Sequence, residues 1–189
     1  MYIKFLLCLF LLLTSTAMAE TSEKVTGDIE ATIHATADRW NSQDFATVLE
    51  LWDTNEPTPF YLAEEQDDWF IGWEALRAYL DPPRPSPMIY GIREEMHNIK
   101  VNQIAPDLAM AAWDMHFEMK MGRSKPIGED VRVSAILRQT PEGWRYIYWA
   151  ESPLTATVYI RKLLEQNVDE EKFEEVYERA MKKRTESLE

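Results

Sequence analysis

The run AAWDMHFEM, residues 111–119, holds Asp114 and His116 two positions apart among apolar residues. In an extended chain alternate side chains share a face, so Ala112, Asp114, His116 and Glu118 point one way and Trp113, Met115, Phe117 and Met119 the other. The α carbons of Asp114 and His116 then stand about 7 Å apart, within reach of one small molecule. An imidazole titrates near neutral pH, so His116 can take or give a proton there, while Asp114 can orient it or raise its basicity. The competing reading is an ordinary strand with its polar face in water. The balance turns on whether a bent sheet lines a pocket with that polar face.

Two more runs offer side chains for the same chemistry. In GWRYIYWAES, strict alternation places Trp144, Tyr146, Tyr148 and Ala150 on one face and Arg145, Ile147, Trp149 and Glu151 on the other. Tyr148, assisted by Tyr146, can donate a hydrogen bond to an oxygen that gains charge. In VRVSAILRQT, Arg132, Ser134, Ile136 and Arg138 alternate with an apolar set, and Arg132 or Arg138 near a pocket would attract an acidic or phenolic ligand. His97, in EEMHNIKV, can approach from a neighbouring strand. Trp40, Tyr61, Trp69 and Tyr90 are candidates for an aromatic wall, and each is equally a candidate for the core. Seven Trp and eight Tyr give the chain capacity to hold an aromatic or polycyclic ligand.

Other chemistries lack their signatures. The three histidines show neither HxH nor HxxxH spacing, so no metal site is expected. No nucleophile elbow, phosphate loop or dinucleotide fingerprint is present, so no cofactor is expected either. Cys8 is the only cysteine. Cofactor-independent proton transfer is the enzyme class that survives.

The opening residues read as a leader: Lys4, the apolar run FLLCLFLLL, then small residues at Ala17 and Ala19. Residues 1–19 are expected to be a secretory signal peptide, which implies an exported protein, with a bacterial periplasm as the first expectation and no stable membrane insertion after cleavage. Loss of Lys4 with the leader changes the formal net charge from -13 to -14. That acidity argues against nucleic acid as a partner, since no basic patch is available to neutralise phosphates.

The remaining chain supplies the elements. IEATIHATADRWN places Ile29, Ile33, Thr36, Ala37 and Trp40 near one helical face, with Asp28 as a candidate cap. DFATVLELW predicts a second short helix, and residues 58–80 predict two short strands and a helix from about Trp73 to Leu80. The prolines of DPPRPSP, residues 81–87, forbid regular structure. Four extended segments follow and should form a curved antiparallel sheet. Ser152-Pro153 reads as the start of a tail helix, and Asp169 as the start of another, with acidic residues early and basic ones late.

Trp40-Asn41-Ser42-Gln43-Asp44 at the end of the opening helix, Gly72-Trp73-Glu74-Ala75-Leu76 at a turn into a helix, and Gly143-Trp144-Arg145 at a strand entry resemble the nuclear transport factor 2-like (SnoaL-like) superfamily. The resemblance covers about residues 28–152 and implies an α+β fold, a cone in which a curved antiparallel sheet wraps the N-terminal helices around a pocket. The pocket domain is expected over residues 20–152. The C-terminal helical extension, residues 153–189, would pack on the same domain or on a partner subunit. Superfamily members include isomerases, dehydratases, cyclases and lyases, often dimeric, beside noncatalytic binding modules.

The expected function is a cofactor-independent periplasmic lyase acting on a small oxygenated aromatic compound by general acid/base catalysis. His116, Asp114, Tyr148 and Arg132 would be catalytic. Trp40, Tyr61, Trp69, Tyr90, His97, Arg138 and Tyr146 would bind substrate, and the protein would form a homodimer or higher homo-oligomer. An isomerase of the ketosteroid-isomerase type, or a noncatalytic small-molecule-binding or assembly module, are the alternatives.

Overall fold

The computed structural model describes the backbone of residues 2–81 and 89–186, with side chains over 22–81 and 89–184. Most of the proline-rich segment, the side chains of the leader and the last three residues lie outside the described residues. The chain divides into two units, Met1–Pro153 and Leu154–Glu189.

In the first unit, helix α1 (Tyr2–Asn41) runs straight through Asp28. Asp28 is therefore not a cap, and it pairs instead with Lys24 one turn earlier, at 2.6 Å. Ile29, Ile33, Thr36, Ala37 and Trp40 are all buried, as their spacing predicts. Phe45–Leu51 forms a 3-10 helix rather than an α-helix and buries Phe45, Val48 and Leu51. Trp52, at its end, bridges in parallel to Tyr146.

Strands β1 (Phe60–Leu62) and β2 (Phe70–Ile71) precede helix α2 (Trp73–Leu80); β3 (Ile89–Ala105), β4 (Leu108–Met121), β5 (Ile127–Thr140) and β6 (Gly143–Pro153) follow it. The sheet order is β2-β1-β6-β5-β4-β3, antiparallel throughout except for the parallel pair β1–β6. Gly72, at φ +83°, turns the chain from β2 into α2, a conformation glycine adopts without steric cost.

Two of the four register shifts in the long strands shape the site. In β3 an extra residue falls between His97 and Lys100, where Asn98 takes φ 54°. Asparagine tolerates that left-handed conformation better than most residues. In β6, Ile136 pairs with Tyr148 but Leu137 pairs with Tyr146, so Ile147 is the extra residue. A bulge bends its strand and shifts the alternation by one. Past the second bulge, Trp149 and Glu151 therefore join Trp144 and Tyr146 as buried residues, on the face that strict alternation denies them.

α1 packs against β3 and β6. The face it covers carries Trp113, Met115 and Phe117 from β4 and Val131, Val133, Ala135 and Leu137 from β5, all buried. The side-chain amides after α1 close the sheet edge at β3. Asn41 accepts from the Glu94 N–H at 2.7 Å and donates to the Glu94 carbonyl at 2.9 Å, and Gln43 bonds the backbone of Ile92 in the same two-way manner. These amides satisfy ladder groups that an edge strand otherwise presents to other chains. Asn41→Ala is expected to cost about 2 kcal/mol in urea unfolding, because it strips two part-buried backbone groups of their partners. Gln43→Ala, at an exposed position, should cost less.

The first unit ends with β6 continuing through Ser152 and Pro153, so the tail helix does not begin there as expected; the second unit is helical. Helix α3 spans Ala156–Glu165, with Thr155 before it making no side-chain cap bond. Helix α4 spans Glu170–Glu186, and Asp169 accepts from the Lys172 N–H at 3.1 Å, the capping role its sequence predicts.

Candidate functional site

Beneath α1, a narrow cavity of about 10 Å³, room for about one water, is lined by Thr36 and Trp40 from α1, Val48 and Trp52 from the 3-10 segment, Tyr61 from β1, Leu80 from α2, and Tyr146 and Trp149 from β6. Aromatic rings fill most of the surrounding space. Trp149 stands edge-on to Trp113 at 4.9 Å and to Tyr146 at 5.2 Å, and stacks with Tyr61 at 6.1 Å. The Tyr146 hydroxyl shares a 3.0 Å hydrogen bond with Thr36 Oγ1.

A carboxylate lies one hydrogen bond behind that wall. Glu151 Oε1 accepts from the Tyr61 hydroxyl at 2.9 Å and from Trp149 Nε1 at 2.6 Å, and Oε2 accepts from the Glu64 N–H at 3.1 Å. Burial disfavours the charged form and the three donors favour it. Burial prevails, and the Glu151 carboxyl is pushed up to about 7. With two donors on Oε1 and one on Oε2, the remaining acceptor capacity lies on Oε2.

A second buried acid stands on β3. Glu94 is 6 % exposed, and its Oε2 has no hydrogen-bond partner. Burial, reinforced by the charge of Glu151, raises its carboxyl well above the ordinary carboxylate range. Glu64 is also pushed up to about 7, first by burial and then by the charges of Glu129, Glu65 and Glu151. Three acids thus resist ionisation in one region. That grouping of perturbed carboxyls beside a cavity marks a candidate site for proton transfer.

Asp53 works differently. Its side chain is buried, accepts from the Asn55 N–H and from Arg138 Nη1 at 2.8 Å, and these bonds hold its carboxyl below the ordinary range although burial opposes them. Arg138 also reaches Glu56 at 3.1 Å. The network fastens the segment after Trp52 to the sheet, and Arg138 is engaged there rather than at the cavity.

Of the residues singled out by sequence, Trp40, Tyr61 and Tyr146 line the cavity. The remainder lie elsewhere. Asp114 is exposed and accepts from Asn98 Nδ2 at 2.8 Å. His116 is half-buried, with Nδ1 2.8 Å from Asp130 Oδ1, so its carboxylate partner is Asp130 and not Asp114. Arg132, opposite Asp114 in register, donates to Ser152 and Pro153. These side chains stand on the face opposite Trp113, Met115 and Phe117, away from α1, which corrects the expectation that the polar face of β4 lines the pocket. Tyr148 is half-buried with its ring 5.9 Å from Trp69, and Trp69 and Tyr90 are exposed. His97 lies 3.3 Å from Glu95 at the surface.

Glu151, Glu94, Trp149, Trp52 and Thr36 were not among the site residues expected from sequence, although Thr36 was expected on the inward face of the helix. One signal for them exists: each of Glu94 and Glu151 interrupts an otherwise apolar alternating set once the bulges are counted. Among the described residues no group of His, Cys, Asp and Glu is arranged to hold a metal ion.

The SnoaL-like domain family matches residues 29–156. Solved structures share the architecture. An NTF2-like protein with a cystatin-like fold from Novosphingobium aromaticivorans is 20 % identical with a TM-score of 0.60, covering 80 % of this chain and 96 % of that one. A candidate dehydratase of the NTF2-like family from Streptomyces avermitilis is 16 % identical with a TM-score of 0.60, covering 71 % and 99 %. The association domain of CaMKII from C. elegans is 20 % identical with a TM-score of 0.53, covering 71 % and 98 %. No curated protein matches the chain. At such identities the structural likenesses speak to the fold alone. With the family match spanning most of the chain and the cone of helix and bent sheet beneath it, the protein belongs to the SnoaL-like family of the NTF2-like superfamily.

Proposed function

We propose that the protein is a cofactor-independent lyase or isomerase that moves a proton on a small oxygenated aromatic compound, with Glu151 as base and conjugate acid. The observation that carries this reading is a carboxylate poised near neutrality and held by Tyr61 and Trp149 directly behind an aromatic cavity. An acid with a pKa near the working pH is available in both forms, which is the condition for efficient proton transfer in either direction.

Ionised Glu151 removes a proton from a carbon or hydroxyl of the substrate through the Tyr61 hydroxyl, which passes its own proton to Glu151 as it takes the substrate's. The protonated acid then returns it to a departing hydroxyl, which leaves as water, or to a neighbouring carbon, which shifts the double bond. Tyr146 is the donor placed to hold an oxygen that gains charge. The rings of Trp40, Trp52 and Trp149 orient a flat ligand and keep bulk water out. Entry of anything much larger than water requires some of these rings to turn. The leader-like start of the chain supports an exported enzyme.

The test is turnover of a panel of aromatic diols, hydroxyketones and unsaturated ketones, followed by mass spectrometry. Glu151→Gln is expected to lower the rate at least about a hundredfold with the fold intact. His116→Ala is the control. Turnover lost in that variant and kept in Glu151→Gln would move the chemistry to the outer face, where His116 meets Asp130.

A second reading is favoured by one observation: side chains occupy most of the interior. A filled cone suits a noncatalytic binding or assembly module, and one structural neighbour is an association domain. That reading predicts no turnover on any panel member and no effect of Glu151→Gln beyond stability.

A further inference from the structure

We infer that α4 is a self-association helix, pairing antiparallel with α4 of a second copy of this chain. Phe173, Val176, Tyr177 and Ala180 fall at three- and four-residue spacing, which puts them on one stripe of the helix. Phe173 is 57 % exposed, Val176 49 % and Tyr177 50 %, so a continuous apolar stripe faces outward. On α3 the same unit exposes Ile160, Leu163 and Leu164. A 17-residue helix is marginal in water by itself, and most helical stability comes from burying such a stripe.

The charges identify the occupant and its direction. Residues 169–178 carry six acidic side chains and one lysine, whereas 179–184 carry Arg179, Lys182, Lys183 and Arg184 and no acid. A two-fold axis passing near Val176 and Tyr177 lays the stripe against its own copy. It also brings the acidic first turn, Asp169 and Glu170, beside the basic last turn, Lys183 and Arg184, of the other helix. The macrodipoles then oppose as well, positive end beside negative end. In a parallel pair, related by a two-fold axis along the helices, Glu170 faces Glu170 and Lys183 faces Lys183, which repel. An acidic first half likewise suits an anionic lipid surface poorly.

Sedimentation equilibrium of the full chain at micromolar concentration tests this. The expected result is a dimer that weakens as salt is raised, since opposite charges hold its register. Val176→Asp with Tyr177→Asp, both at exposed positions, should weaken it at least about tenfold, because unpaired carboxylates would be buried in the seam. Glu170→Lys with Glu174→Lys, and separately Lys183→Glu with Arg179→Glu, should each dissociate when alone and form a one-to-one dimer when mixed, because the two-fold sets 170 opposite 183 and 174 opposite 179. A monomeric wild type overturns the inference, whether the tail docks on its own domain or elsewhere. So does a dimer indifferent to the Asp substitutions, which would place the interface outside α4, and a dimer that tightens with salt, which would make the helices parallel.

Discussion

Stability is expected to fall between about pH 5 and pH 8, and Glu151→Gln to remove about 3 kcal/mol of that loss. The sign follows from the buried acid. The Glu151 carboxyl is pushed from its ordinary value near 4.5 up to about 7 by burial, so across this window the folded protein holds a proton that the unfolded chain has lost. Stability is fully present below the unfolded value and drains away as pH rises through the folded one. Glu94 and Glu64 shift in the same direction and add to the loss. Asp53 acts oppositely: depressed by its bonds to Asn55 and Arg138, it contributes stability that disappears only as pH drops below about 4. The maximum should therefore sit near pH 5. Urea midpoints across the range measure this, and comparing slopes cancels any constant offset the Gln side chain introduces. A flat wild-type profile, or one whose slope is unchanged in Glu151→Gln, would remove the physical basis for Glu151 as a poised acid.

Trp149→Ala should be the most destabilising single change in the interior, costing about 3–5 kcal/mol. Its ring is the hub between Trp113, Tyr146 and Tyr61, and truncation leaves a cavity that a close-packed interior fills only in part. The same change removes one of the two donors on Glu151 Oε1. Trp149→Phe separates the contributions, keeping a ring while losing the N–H. It should cost about 1–2 kcal/mol and drive the Glu151 carboxyl further up, because a bond that favours the ionised form is gone. Thermal and urea unfolding give the first quantity, and the pH profile of stability gives the second. Equal costs for the two variants would show that the hydrogen bond, and not the ring, dominates at this position.

The outer face of the sheet illustrates how a sequence pattern can carry two meanings. Asp114, His116 and Glu118 do share a face, as period two requires, and their partners across the strands are His97, Glu95 and Arg93 on β3 and Arg132, Asp130 and Gly128 on β5. Pairing there is between neighbouring strands: His116 with Asp130, Arg93 with Glu118. Such cross-strand pairs stabilise a solvated sheet surface. Alternation identifies which residues travel together and is silent on which set the helix covers. Burial of Trp113, Met115 and Phe117 under α1 decides that, because their apolar area gains most from leaving water.

Sequence by itself determined the opening helix and its inward stripe, the short helix over Trp73–Leu80, the four long strands, the capping role of Asp169 and the resemblance to the superfamily. These rest on local periods, turn residues and capping chemistry, which act within a few positions of the chain. Tertiary structure decided the site. The extra residue at Ile147 rotates Trp149 and Glu151 inward, and β3 presents Glu94 from the far edge of the sheet once Asn41 has bonded its backbone. A bulge is set by how two strands must bend to wrap one helix, and a raised carboxyl by what surrounds it from several elements at once. Neither quantity is a property of any short stretch of the sequence, so the acids that gather beside the cavity become visible only when the sheet has closed over α1.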